Sequence, residues 1–120
     1  MQSAPIGVLD SGMGGLSVLH ALKRAMPHER FIYFGDNANA PYGPRSPEEI
    51  RALTSRTAQK LMDRGIKALV IACNTATSAA AADLREKLDI PVLGLDPALK
   101  PAVEFAGDGR VAVLATEATL

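Results

Sequence analysis

Three places in the chain put a reactive or hydrogen-bonding side chain where an apolar run gives way to a turn. The run Ile6 to Asp10 ends in a carboxylate, followed by Ser11 and the glycine-rich stretch Gly12-Met13-Gly14-Gly15. The run Ala68 to Ala72 is followed by Cys73, Asn74 and Thr75, and the run Arg110 to Ala115 by Thr116. Ligands of open parallel sheets gather at the carboxyl ends of the strands. Three such ends converging on one pocket would bring together a thiol, a carboxylate and several hydroxyls. Such a set could assist a base or hold a small anion.

Each residue also has a plainer reading. Cys73 lies between a buried strand and a helix start, where unpaired N–H groups and partial positive charge favour thiolate over thiol. A free cysteine is equally at home as a small apolar residue filling a core gap. Asn74 and Thr75 either cap the following helix or hold a bound carboxylate. Asp10 either caps the glycine-rich turn or orients a substrate amino group and assists a neighbouring base. The glycines do not form a dinucleotide fingerprint, because Ser17 stands where the third glycine belongs, and no Gly-Lys-Ser/Thr follows. They let backbone N–H groups approach a small anion. His20 and His28 lie away from the strand ends. No strand end carries a lysine for a Schiff base, and no residues have metal-ligand spacing, so neither cofactor nor metal is expected.

The elements that must position these groups alternate. Leu16, Leu19, Leu22 and Met26 give one helical face after the first strand, ended by Pro27. Phe31 to Gly35 is a second strand, and Asp36 to Arg45, with Pro41, Gly43 and Pro44, is a loop long enough to suggest a function. Ser46-Pro47-Glu48-Glu49 opens a helix with a capping box. That helix carries a stripe of Ile50, Leu53, Thr57, Leu61 and Arg64, flanked by Ala58 and Met62, up to a cap at Gly65. Ala68 to Ala72 is a strand buried on both faces, Ala76 to Leu88 an alanine-rich helix, and Ile90 to Leu95 a fourth strand. Asp96-Pro97 starts a further helix toward Phe105, with Pro101 expected to distort its first turns. Arg110 to Ala115 is a fifth strand. The order predicts an α/β fold, a doubly wound parallel sheet of flavodoxin-like or Rossmann-like three-layer type. With no helix after the fifth strand, the chain reads as truncated.

Composition excludes several function classes. Thirteen basic and thirteen acidic side chains cancel, which gives no electrostatic reason to expect nucleic acid or an anionic membrane as partner. The few aromatic residues are not interleaved with basic ones, so no platform for stacking bases is expected. The single cysteine excludes an internal disulfide. No apolar run approaches the roughly 20 residues that span a bilayer. Met1 to Pro5 has none of the regions of a signal peptide, and the expected location is the cytoplasm, where Cys73 stays reduced.

Four segments resemble one family. Ile6-Gly7-Val8-Leu9-Asp10-Ser11-Gly12-Met13-Gly14-Gly15-Leu16 resembles the opening of glutamate racemases, in the aspartate/glutamate racemase superfamily. Phe34-Gly35-Asp36 with Pro41-Tyr42-Gly43, Ile71-Ala72-Cys73-Asn74-Thr75-Ala76, and Leu114-Ala115-Thr116-Glu117-Ala118-Thr119 are similar to later motifs of that family, in the same order. The resemblance implies interconversion of L- and D-glutamate for peptidoglycan, without cofactor, by two cysteines on opposite faces of the α-carbon. It makes Cys73 one of these bases and Asp10 an acidic residue assisting it. Ser11, Pro41, Tyr42, Gly43, Asn74, Thr75, Thr116 and Thr119 would contact the substrate. It also implies two facing α/β domains, residues 1–100 forming most of the first and 101–120 opening the second. The second cysteine falls outside this chain, which is therefore expected to be inactive alone. A homodimer of the intact protein is compatible with the resemblance. The chain departs from the family pattern at Asn37-Ala38-Asn39-Ala40, at Asp96 for a common glutamate, and at Glu117 for a frequent lysine. An aspartate racemase and a non-catalytic module binding a small anion are the alternative readings.

Overall fold

The computed structural model describes residues 3–96, 98–117 and 119. Four parallel strands, β1 (Ile6–Asp10), β2 (Phe31–Gly35), β3 (Ala68–Ile71) and β4 (Val92–Leu93), form a sheet in the order β2-β1-β3-β4. Central β1 is buried at all five residues, as a strand with neighbours on both edges and layers on both faces must be. Its register sets Val8 beside Tyr33 and Asp10 beside Gly35 on one edge, and Leu9 beside Ile71 on the other. The carboxyl ends of β1, β2 and β3 therefore finish level with one another. The doubly wound parallel α/β architecture expected from the sequence is the one found.

Two helices cover one face. In α2 (Pro47–Met62), Ser46 is the N-cap and its hydroxyl accepts the Glu49 N–H at 3.2 Å, as the capping pattern predicts. Ile50, Leu53, Ala58 and Leu61 pack with Leu9, Leu69 and Ile71 of the sheet in one core cluster. Thr54 and Thr57 are buried in the same stripe because their hydroxyls donate back to the carbonyls of Ile50 (2.7 Å) and Leu53 (3.1 Å). Arg64 lies past the helix end and is exposed, while Gly65 takes the positive φ of +74° that its capping role requires. The alanines of α3 (Asn74–Lys87) let it sit close against α2: Ala76, Ala80 and Ala81 are each at most 3% exposed. On the other face α1 (Leu16–Ala25) lies over β2 and buries no residue completely; Leu16 of its predicted apolar face stays 42% exposed.

β3 ends at Ile71 with Ala68 and Val70 only half-buried, short of the strand buried on both faces expected from the sequence. The structure corrects the sequence reading further at three later elements. β4 is two residues long instead of running from Ile90 to Leu95, because the Leu95 N–H is taken by the Thr77 hydroxyl at 3.0 Å and leaves the ladder. The last helix, α4 (Leu99–Ala106), starts after Ala98, with Asp96 outside it; Pro97 lies outside the described residues. Pro101 sits in its first turn, where backbone N–H groups have no helical acceptor, so it does not distort the helix. Residues 110–116 form no strand. A strand needs a partner for its ladder, and Val111 to Leu114 instead line a cavity of about 270 Å³ with Asn74, Ala98, Leu99 and Ala102.

Candidate active site

The carboxyl ends of the interior strands β1 and β3 bring Asp10, Ser11 and Cys73 to one end of the sheet. Asp10 is 5% exposed, and its Oδ2 accepts the N–H groups of Gly15 at 2.9 Å and Gly12 at 3.2 Å. It therefore caps the glycine-rich turn. The Tyr33 hydroxyl, reaching over from β2, donates to the Gly12 carbonyl at 2.8 Å and lies 3.4 Å from the same Oδ2. Burial, then the Asp10 charge, pushes the Tyr33 hydroxyl up to about 12.

Cys73 is itself the N-cap of α3, which begins two residues earlier than the sequence predicts. Its Sγ accepts the Ala76 N–H at 3.4 Å, in the role usually taken by a serine or aspartate oxygen. The thiol donates to the Ser11 hydroxyl at 3.7 Å, a long but sulfur-sized contact. Cys73 is half-buried and packs against the edge of the core cluster. Among the described residues no hydrogen bond joins it to Asp10; Ser11 is the link between the two.

A second group of hydroxyls lies beside the helix start. Thr75 is buried, and its Oγ1 is 2.8 Å from that of Thr116, which is 3.2 Å from that of Thr119. Gly43 closes against the same threonine: a Cβ on it would lie 2.9 Å from Thr116 Cγ2. Six of the residues singled out in the sequence thus fall into two contacting sets, Ser11 with Cys73 and Gly43 with Thr75, Thr116 and Thr119.

Three do not join these sets through their side chains. Pro41 is exposed. Asn74, the first residue of α3, is exposed toward the 110–114 segment and caps nothing. Tyr42 turns into the core, 2% exposed, and its hydroxyl donates to Asp36 Oδ2 at 2.6 Å. Burial, then the bond to Asp36, raises the Tyr42 hydroxyl well above its ordinary range. Asp36 also accepts both contacts from Asn39 Nδ2, at 2.9 and 3.1 Å, while Arg45 Nε donates to the Asn39 carbonyl at 3.2 Å. The loop from Asp36 to Arg45 is thus tied from within and holds Gly43 against Thr116. Asp36 and Tyr33 are the residues that the sequence reading passed over. Tyr33 stands opposite Val8, two residues before Asp10 and therefore on the same face as that carboxylate, but the register that joins the two strands is not written in either.

No group of three or more histidine, cysteine, aspartate or glutamate side chains is placed to hold a metal ion among the described residues. No helix among them is long and apolar enough to cross a membrane.

The sequence profile of the family described as Asp/Glu/Hydantoin racemase matches residues 6–120. The glutamate racemase of Clostridium botulinum (strain Kyoto / Type A2) is 55% identical over 116 residues, covering 97% of this chain and 45% of that protein. The crystal structure of glutamate racemase from Thermus thermophilus in complex with β-chloro-D-alanine is similar with a TM-score of 0.85 and 48% identity, covering 98% of this chain and 45% of that one. That of glutamate racemase from Francisella tularensis in complex with D-glutamate has a TM-score of 0.82 and 39% identity, covering 99% and 45%. The chain spans a little under half the length of the relatives it matches.

Proposed function

The chain belongs to the Asp/Glu/Hydantoin racemase family, and from that premise we propose that it is the N-terminal part of a glutamate racemase in which Cys73 is one of two proton-transfer bases. The observation that carries this reading is the place of Cys73. Its sulfur caps a helix N-terminus at the carboxyl end of a central strand, half-buried and within reach of Ser11. Such a position lets N–H groups meet negative charge on sulfur while leaving one side open to a ligand.

In the proposed reaction the Cys73 thiolate takes the α-proton of one glutamate enantiomer. The Cα–H bond breaks, an S–H bond forms, and the electron pair stays on the α-carbon, delocalised into the carboxylate. A second thiol, outside these 120 residues, returns a proton to the opposite face. An α-proton is only weakly acidic, so donors around the carboxylate must lower the barrier. Thr75, Thr116, Thr119, Asn74 and the backbone at Pro41, Tyr42 and Gly43 are the groups proposed for that contact, with Ser11 beside the sulfur. Asp10 assists by fixing the turn that carries Ser11. Residues 1–100 belong to the first domain and 101–120 open the second, with α4 straddling the boundary. No cofactor enters the scheme. Supply of D-glutamate for peptidoglycan in the cytoplasm is the corresponding cellular role.

The test is conversion of L- to D-glutamate by the full-length protein and its Cys73→Ala variant, with aspartate as parallel substrate. Loss of glutamate racemisation in the variant is expected, and so is inactivity of the 120-residue chain alone. Undiminished turnover by Cys73→Ala would remove the assignment, and preference for aspartate would redirect it.

A further inference from the structure

The turn from Ser11 to Gly15 must keep one shape for Ser11 to face the sulfur, yet three of its five residues are glycines. Glycine favours no single backbone conformation, so the shape has to be imposed from outside. Asp10 supplies part of the restraint from the strand end, through the N–H groups of Gly12 and Gly15. Among the described residues, three further side chains hydrogen-bond the turn: Cys73, Ser17 of α1, whose hydroxyl donates to the Gly14 carbonyl at 3.0 Å, and Tyr33 from β2. The Tyr33 hydroxyl donates to the Gly12 carbonyl at 2.8 Å, on the residue directly after Ser11. The end of β2 backs the same peptide: a Cβ on Gly35 would collide with the Gly12 carbonyl, and the Asp36 N–H donates to the Asp10 carbonyl at 3.0 Å.

We propose that Tyr33 is a positioning residue for proton transfer at Cys73, its hydroxyl locking the Gly12 peptide so that Ser11 faces the sulfur. The proposal rests on the reading of Cys73 as a base. Tyr33 touches no reacting atom in this scheme. It acts through the chain of contacts Tyr33 hydroxyl, Gly12 carbonyl, Ser11 hydroxyl, Cys73 Sγ, and through the Asp10 carboxylate that its hydroxyl also approaches. Because β2 presents Tyr33 from the strand edge away from Cys73, the sulfur is held from two sides: its own helix and a brace one strand further off.

Tyr33→Phe in the full-length protein removes the hydroxyl and keeps the ring. The expected result is a fall in kcat of about 3- to 10-fold, the value of one hydrogen bond, with KM for glutamate changed less than about twofold. The deciding readout is the primary isotope effect with α-deuterated L- and D-glutamate, measured separately. A base on one face deprotonates one enantiomer only. Misalignment at Cys73 therefore raises the isotope effect for that enantiomer and lowers it for the other. A mere loss of folded protein scales both rates and leaves both isotope effects unchanged. Unchanged isotope effects, an unchanged kcat, or a variant that does not fold would each overturn the proposal, the last because the hydroxyl would then be holding the fold. Cys73→Ala in the same assay separates the two claims. If that variant stays active, the base assignment fails; if it is inactive while Tyr33→Phe shows no asymmetry, only the role of Tyr33 fails.

Discussion

The turn after β1 and the segment after β4 face the same end of the sheet under opposite conditions. At the turn, a carboxylate 5% exposed meets backbone N–H groups and a tyrosine hydroxyl, and strand β2 closes against it from behind. In the later segment Phe105 is 95% and Leu114 98% exposed, α4 buries no residue, and residues 110–116 join no ladder. Yet both regions deliver side chains to the start of α3, Ser11 against Cys73 from one and Thr116 against Thr75 from the other. The difference teaches that a side chain can be brought to a site by a rigid frame or by a few polar contacts alone. Only the first kind should transmit a distant substitution to the sulfur.

The largest effect expected from this contrast is on turnover. Cys73→Ala in the full-length protein should lower the racemisation rate by about 10²- to 10⁴-fold, the range for loss of a general base. Its melting temperature should barely move, since a thiol is a weak cap. A large loss of stability instead would make the cysteine a structural residue. The next effect concerns the frame. Gly35→Ala places a methyl group against the Gly12 carbonyl and should destabilise the chain by about 1–3 kcal/mol, read by urea unfolding. A neutral result would mean that β2 does not back the turn.

Those two sites also mark what the sequence made legible. Ile6–Asp10, Phe31–Gly35 and the alternation of elements followed from apolar runs bounded by turn residues. Cys73 at a strand-to-helix junction followed from the run Ala68 to Ala72 before it and the alanines after it. The bond from Tyr33 to Gly12 did not, because it depends on a register between segments 21 residues apart. Asp36 was legible as a motif letter and not as the anchor of Tyr42, since loop residues find partners only once the backbone has turned. The strand expected over Arg110 to Ala115 failed for a related reason. Apolar, β-branched composition reports that a segment would suit a sheet, not that a neighbour is there to receive it.

A smaller effect belongs to the loop between the two regions. Asp36→Ala leaves the buried Tyr42 hydroxyl without its carboxylate and should cost about 1–2 kcal/mol in the same unfolding assay, with KM for glutamate rising in the full-length protein as Gly43 loosens from Thr116. An unchanged KM would uncouple this loop from the substrate. The two tyrosines offer a check by absorbance. Tyr33 should ionise near 12 and Tyr42 later still, so no tyrosinate appears near the ordinary value of 10. Because both hydroxyls are raised on folding, their contribution to stability is whole below about pH 10 and is lost as pH rises through the folded values. A tyrosinate step near 10 in folded protein would contradict the burial of both. The smallest effect is expected at the far end. Phe105→Ser or Leu114→Ser should change the stability of the 120-residue chain by less than about 0.5 kcal/mol. A larger cost at either would give that segment a core it lacks here.

The row of hydroxyls formed by Thr75, Thr116 and Thr119 has no built-in polarity, since either atom of each contact can donate. Rotating the three hydrogens reverses the row from end to end without moving a heavy atom. A wall of that kind meets a donor or an acceptor with equal ease.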